Sequence, residues 1–318
     1  MDITKYIQNN TEAPKENMPR LSKEEYAAMK RQEREDAWMA VDTTAQSVFR
    51  DGNSLQSFLD FFAQCTPQKA VNLLLLYSQD PNIRHPKTYD KWREEKRVLK
   101  SGVHGYRFFV TQEYEKDGAI AQGYQLTRVY DMSQVRMAPP PTPEPKPMDV
   151  LMGALLSNNE VAIRVSDELP ENVQAQYIPR HRAIYVRNGM SETTTFHSIN
   201  RELSCAALDR HDGSYSRAAV SAQSYCAAYV VAKKYGVDVT GFKFEAVCQR
   251  QEHGNKDPKE LRAFVNDIKN GAYTIERHIN RNLGEPEQAF TADEFAVLES
   301  SANEKQARKS KAKAAPEI

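Results

Sequence analysis

Between Asp80 and Val110 the chain interleaves cations with rings. Eight Lys/Arg stand there (Arg84, Lys87, Lys91, Arg93, Lys96, Arg97, Lys100 and Arg107) against four acids, Asp80, Asp90, Glu94 and Glu95. Tyr89, Trp92, Tyr106, Phe108 and Phe109 are set among them, with His85 and His104. Cations neutralise phosphates and flat side chains give bases a surface to stack on, so the mixture suits single-stranded nucleic acid. Gly102 and Gly105 would let a turn bring backbone N–H groups toward a phosphate. The plain alternative is structural. Trp92 and Phe108 then belong to the core, and the Lys/Arg form a solvated helix face. Tyr106, Phe108 and Val110 alternate, so they share one strand face, and at most one face of that strand can meet DNA.

Metal and thiol chemistry have less to work with. Cys65, Cys205, Cys226 and Cys248 stand far apart without a CxxC pair, which supports neither a disulfide framework nor a cysteine-type zinc site. His197 precedes Arg201 by one helical turn. It precedes Cys205 by roughly 12 Å along a helix axis, farther than one metal spans. His181, His211 and His253 are dispersed and read as surface or capping residues.

The elements that must position these groups follow from the patterns. The chain has 318 residues, 43 basic and 43 acidic, and a formal net charge of zero. That excludes a histone-like polycation but leaves room for a local basic groove. The length suggests two domains. The longest apolar runs, Val71–Tyr77 and Tyr225–Ala232, fall short of the ~18 residues that cross a bilayer. The first residues, MDITKYIQNN, lack the basic and apolar regions of a secretion signal. A reduced, cytoplasmic protein without membrane partners is expected. Ala138–Met148 has six prolines in eleven residues and reads as a semi-rigid linker. It divides an upstream domain, 20–137, from a downstream domain, 149–285. Residues 1–19 read as a flexible lead-in. Residues 286–318 read as a basic, disordered tail, with one short helix at Phe290–Leu298.

In the first domain, Ser22 and Glu25 set a capping box for a helix over 21–41. Helices are expected at Ser54–Gln64, Pro67–Ser78 and Tyr89–Glu95. Strands are expected at Tyr106–Gln112 and Gln125–Asp131, with polar Glu113–Gln122 between them. In the second domain, Asp149–Ser157 reads as a helix, and Glu160–Arg164 and Arg182–Arg187 as strands. Ser191 caps a helix reaching Asp209, on which Phe196, Ile199, Leu203 and Ala206 form one stripe. Helices at Arg217–Tyr235, closed by Gly236, and Pro258–Arg281 follow. The class is α+β: a helix-then-sheet N-terminal domain, then a mainly helical domain with a small sheet.

Three strings together resemble the ArdC-type antirestriction proteins of plasmids and conjugative elements. They are NLLLLYSQDP (Asn72–Pro81, then Tyr89 and Trp92), RVLKSGVHGY (Arg97–Tyr106) and RVYDMSQ (Arg128–Gln134). The resemblance implies an N-terminal domain that binds single-stranded DNA through Lys91, Trp92, Arg97, Lys100, Gly102, Gly105, Tyr106 and Arg107. Asn72, Gln79, Asp131 and Gln134 would be its structural motif. Ser101 and His104 stand where the family commonly has lysine, which implies weaker binding with a shallower salt dependence.

The segments Arg187–Leu203 and Ala222–Asp238 are similar to the family's zincin-like peptidase helices. A zincin sets two histidines at i and i+4, a glutamate base at i+1, and a third ligand on a later helix. By the resemblance, the histidine positions hold Arg201 and Cys205, the base position holds Glu202, and the third ligand falls on Tyr225, or on Gln223 after a two-residue slip. Arg201 has no lone pair to give, and the resemblance therefore implies a pseudo-peptidase with no catalytic residue, no zinc and no other cofactor. Arg201 could pair with Glu202 or with another acid.

The reading is a single-stranded-DNA-binding, antirestriction- or conjugation-related protein of a mobile genetic element. Single-stranded DNA is the expected partner, with a host restriction or conjugation-machinery protein as a second. The alternatives are an active metallopeptidase with rearranged ligands, or a protein-interaction module without DNA binding.

Overall fold

The computed structural model describes residues 22–65, 68–116, 119–136 and 145–285. The lead-in at 1–19, most of the proline-rich segment and the tail from 286 with its expected short helix lie outside the described residues. Contacts divide the chain into two compact units, Met1–Asp36 and Ala37–Ile318. Helix α1 (Lys23–Val48) opens on the expected box: the Glu25 N–H donates to Ser22 Oγ at 3.1 Å, and the Ser22 N–H to Glu25 Oε2 at 2.8 Å.

The fold is α+β. Helix α2 (Gly52–Gln64) is capped by Asp51, which accepts from the Ser54 N–H, and buries Leu55, Phe58, Leu59 and Phe62 along one stripe. Helix α3 (Ala70–Gln79) buries Leu73 to Leu76. Strand β1 (Lys87–Thr88) and helix α4 (Tyr89–Glu94) lead to a long hairpin, β2 (Tyr106–Lys116) and β3 (Ala119–Tyr130). The sheet order is β1-β3-β2, all antiparallel. The polar stretch expected between the strands lies largely inside them. An antiparallel hairpin can keep a face in water, so polarity does not end a strand there.

Strand β2 is an edge, and α3 closes part of it. Asn72 Nδ2 donates to the Phe109 carbonyl at 2.9 Å, and the Phe109 N–H donates to Asn72 Oδ1 at 2.8 Å. Two turns on, Gln79 repeats the arrangement with the Arg107 N–H and carbonyl, at 2.7 and 2.9 Å. Side-chain amides thus stand in for a neighbouring strand. Replacing Asn72 with alanine orphans a buried N–H and C=O together and is expected to cost about 2 kcal/mol. Urea unfolding checks this, and a loss under ~0.5 kcal/mol would contradict it.

The downstream part contains α5 (Met148–Leu156), a second sheet of β4 (Ala162–Val165), β5 (Ala175–Ile178) and β6 (Ala183–Val186), then α6 (Glu192–Ala207), α7 (Arg217–Lys234), α8 (Glu245–Arg250) and α9 (Pro258–Leu283). The order is β4-β6-β5; β4 lies parallel to β6, and β5 antiparallel. Ser191 caps α6 by accepting from the Thr194 N–H, and Gly236, at φ +74°, follows α7. Strand β5 and helix α8 were not expected. Both are short, and Pro179 directly after β5 masks its pattern.

Elements upstream and downstream of the proline-rich segment at 138–148 share one core. Helix α2 packs on α7 and α8, and α3 on α9. The Tyr229 hydroxyl donates to Asp60 at 2.7 Å, and the Gly52 N–H to Glu245 at 3.0 Å. The cause is α7, whose Cys226 to Ala232 are all buried, so it needs cover on every side. Helices α6 and α9 supply part of that cover, and α2, from upstream in the chain, supplies the rest.

Candidate functional site

Two regions bring together the residues singled out by sequence. The first lies between α6 and α7. Glu202 is 2% exposed, and three donors hold its carboxylate. The Tyr177 N–H on β5 donates to Oε2 at 2.7 Å; Arg217 donates from Nη1 to Oε2 and from Nη2 to Oε1, both at 2.5 Å. Neighbours on a helix do not face each other, so Arg201 is not the partner of Glu202. The partner is Arg217 at the start of α7, across the 208–216 loop. Sequence reasoning missed it because no helical spacing links residues on two helices.

Arg201 turns the other way. Its guanidinium lies 5.7 Å from the Tyr225 ring, and its Nε is buried without a hydrogen-bond partner among the described residues. The Tyr225 hydroxyl accepts from the Lys243 N–H at 2.9 Å. Phe242 packs on Tyr225 at 4.9 Å and on His197 at 5.0 Å, and His197 Nε2 contacts the Asp238 carbonyl at 2.8 Å. The 238–243 loop is thus fastened to both helices. Cys205 is fully buried; burial first, then the nearby Glu202 carboxylate, pushes its thiol above the ordinary range. Burial likewise raises the Tyr225 phenol.

These groups do not suit a divalent cation. Arg201 offers charge of the wrong sign and no lone pair. Cys205 is held toward the thiol, whereas a metal binds thiolate. Glu202 has its oxygens committed to a guanidinium and a backbone N–H. Among the described residues, no three His, Cys, Asp or Glu cluster as a metal site would need. What the arrangement can do is mechanical: it ties β5, α6 and α7 at one buried ion pair.

The second region is the sheet end and turn before β2. Trp92 is 2% exposed, and its indole N–H donates to the Tyr130 carbonyl at 2.8 Å, so it packs in the core and does not offer a base platform. Tyr106 is half-buried; its hydroxyl donates to Asp80 at 3.0 Å, and burial with that carboxylate pushes its pKa up to about 12. Tyr89, at 56% exposure, is the ring in this region that faces solvent most openly. Gly105 serves packing and not phosphate approach: a Cβ there would sit 2.9 Å from Arg128 Cβ. Gly102 is different, with φ +75° and open space around it. Lys91 is 3.6 Å from Glu94, Arg97 is half-buried, and Lys100 is exposed with its ammonium donating to the Ser133 carbonyl at 2.7 Å.

The DMSQ string holds this turn in place. Asp131 accepts from the Arg84 and His85 N–H groups at 2.9 and 3.0 Å and caps a 3-10 turn at Met132–Gln134. Gln134 accepts from the Asp131 N–H and donates to the His104 carbonyl, both at 2.9 Å. One motif therefore fixes both the 84–85 loop and the 100–104 turn.

The charge arrangement here includes Arg128, which sequence reading passed over as a DNA contact. Arg107 and Arg128 are directly opposite in the β2–β3 register. The Arg107 N–H and C=O point outward to Gln79, so the two arginines form a non-hydrogen-bonded pair, the kind whose side chains approach most closely. Like charges in that position are destabilising. Arg128 Nη1 donates to the Gly105 carbonyl at 3.1 Å, which leaves the rest of its guanidinium fork for an anion. The only sequence signal for this was the hairpin register.

No protein-family model matches the sequence, and no curated protein does. Among solved structures, the chain is similar to the antirestriction ArdC protein from the R388 plasmid. The metal-free form has 16% identity and a TM-score of 0.43, over 67% of this chain and 86% of that one. The Mn(II)-bound form has 14% identity and a TM-score of 0.44, over 67% of this chain and 85% of that one. Among the described residues, no helix is long and apolar enough to cross a membrane.

Proposed function

We propose that the chain binds single-stranded DNA through the turn and sheet end formed by residues 89–107 and 128, as an antirestriction- or conjugation-related protein acting in the cytoplasm. The observation that carries the reading is the opposed pair Arg107 and Arg128, which a phosphate lying across it would relieve. Lys100 beside Gly102 extends the cationic strip, and Tyr89 offers a ring for stacking. The three strings that resemble the ArdC family lie in and around this region. Trp92 and Gly105 belong to its scaffold. In this reading a host restriction or conjugation-machinery protein is a second partner.

The peptidase-like helix pair is structural in the same reading. The Glu202–Arg217 clamp supports this, because a carboxylate that accepts three hydrogen bonds, two of them from a guanidinium, is held ionised as an anchor and is weakened as a base toward water. No zinc and no peptide hydrolysis are then required. The test has two arms: binding of a labelled single strand against the same sequence as duplex, and metal content with peptidase assay of gently purified protein. Single-strand-selective binding without stoichiometric zinc supports the reading. Stoichiometric zinc lost on Cys205→Ala, together with hydrolysis, would replace it with a rearranged metallopeptidase.

A further inference from the structure

Two cavities meet on one face of α9, apart from the proposed DNA strip; the larger is bordered also by the 208–216 loop that leads to Arg217. One, about 280 Å³, is bordered by Arg182, Arg277 and Arg281 over an apolar floor. The other, about 630 Å³, is bordered by the amides of Gln223 and Asn270, by the Asp267 carboxylate, which accepts from Gln223, and by Arg210, whose charge acts on Asp267. They share a wall at Tyr273, whose ring is half-exposed. Asn270, Tyr273, Arg277 and Arg281 recur at three- and four-residue steps, so they line one stripe of the helix. From Asn270 to Arg277 is roughly 10 Å at ~1.5 Å per residue, the scale of one nucleotide.

The two ends differ in chemistry. Three guanidiniums, opposed at that end by Glu160, recognise a phosphate, which arginine forks grip bidentately. The far end mixes carboxamides with a carboxylate, the groups that pair with base edges, and the carboxylate favours a base carrying an amino group. Gln223 Oε1 is buried there without a hydrogen-bond partner among the described residues, an acceptor whose pairing the fold does not supply. A tyrosine between a phosphate site and an amide site is placed to stack on a base. We infer that this double cavity is a nucleotide site: it takes a nucleoside phosphate with the phosphate at Arg182, Arg277 and Arg281, the base toward Gln223, Asn270 and Asp267, and Tyr273 against the base. The inference rests on the single-strand reading only for the source of the nucleotide, which is one residue of a bound strand.

The test uses the full chain and two probes, deoxycytidine 5′-monophosphate and an oligodeoxycytidylate of about eight nucleotides carrying a photoreactive base. The variants are Arg277→Glu with Arg281→Glu, and separately Tyr273→Leu; both alter exposed or half-exposed positions, and circular dichroism melting checks their fold. Calorimetry is expected to show the monophosphate binding, with affinity at least about tenfold lower in the double variant, while deoxycytidine without phosphate does not bind. The strand is expected to cross-link to Tyr273 and to lose affinity in the same variant. If the monophosphate binds in this way but the strand is indifferent to the variant, the site is a free-nucleotide site and its proposed source is wrong. If the strand binds wild type and variant equally and the monophosphate does not bind, the cavity assignment is overturned while the single-strand reading stands. If the monophosphate binds and no strand does, the cavity stands and the single-strand reading falls.

Discussion

Replacing Arg217 with alanine is expected to destabilise the fold by about 3 kcal/mol, because it leaves the Glu202 carboxylate buried and without its counter-charge. The figure sits at the low end for a broken buried pair because the Arg217 side chain is 35% exposed, so water can reach part of the vacated space. The loss is not limited to a salt bridge. Glu202 also accepts the Tyr177 N–H, so one carboxylate joins α6, the start of α7 and edge strand β5. Glu202→Gln keeps the shape and the acceptor for Tyr177 but removes the charge, and is expected to cost less. The double variant Arg217→Met with Glu202→Leu removes both charges and should recover much of the Arg217→Ala loss, since apolar replacements of buried pairs are often near neutral. Urea unfolding of the four proteins checks the order. A working glutamate base would give a different pattern: Glu202→Gln would leave stability unchanged or raised and abolish hydrolysis.

Alanine at both Arg107 and Arg128 is expected to reduce single-strand affinity by about a hundredfold at low salt, and to lower the slope of log affinity against log salt by about 1.4, or ~0.7 for each lost phosphate contact. The same variant should be slightly more stable than wild type, because a close like-charge cross-strand pair disappears. Opposite signs in stability and binding separate this prediction from general damage to the hairpin. Lys100→Ala, by contrast, removes one contact at the turn and should lower the slope by about 0.7. Trp92→Ala would also reduce binding, through loss of a buried indole that fastens α4 to β3, and its melting temperature would fall with it.

Helix ends were the most legible part of the structure. Ser22 with Glu25, Ser191 and Gly236 act within one turn of their own helices, and local chemistry decides them. The stripe of α6, Phe196, Ile199 and Leu203, is buried as its periodicity requires. Elements whose stability comes from elsewhere were not legible. Strand β5 has four residues and exists because β6 pairs with it and Glu202 holds its outer N–H. The packing of α2 on α7 and α8 was not legible either, because composition marks a linker but says nothing of which helices meet on either side of it. At the candidate site the residue positions were readable, and their partners were not. Arg217 lies on another helix, and Arg128 acquires meaning only through the hairpin register. Trp92 shows the same limit in reverse: an aromatic among cations has the composition of a base platform, and the Tyr130 carbonyl makes it a core residue.

The central claim is most directly tested by titrating the full chain into a labelled single strand of about 20 nucleotides, long enough to span a site of this kind, at several salt concentrations, with the duplex as control. The account predicts binding that prefers the single strand and weakens with salt at a slope near −3, as about four phosphate contacts from Lys91, Lys100, Arg107 and Arg128 require. Equal binding to duplex and single strand, or affinity that does not respond to salt, would contradict it.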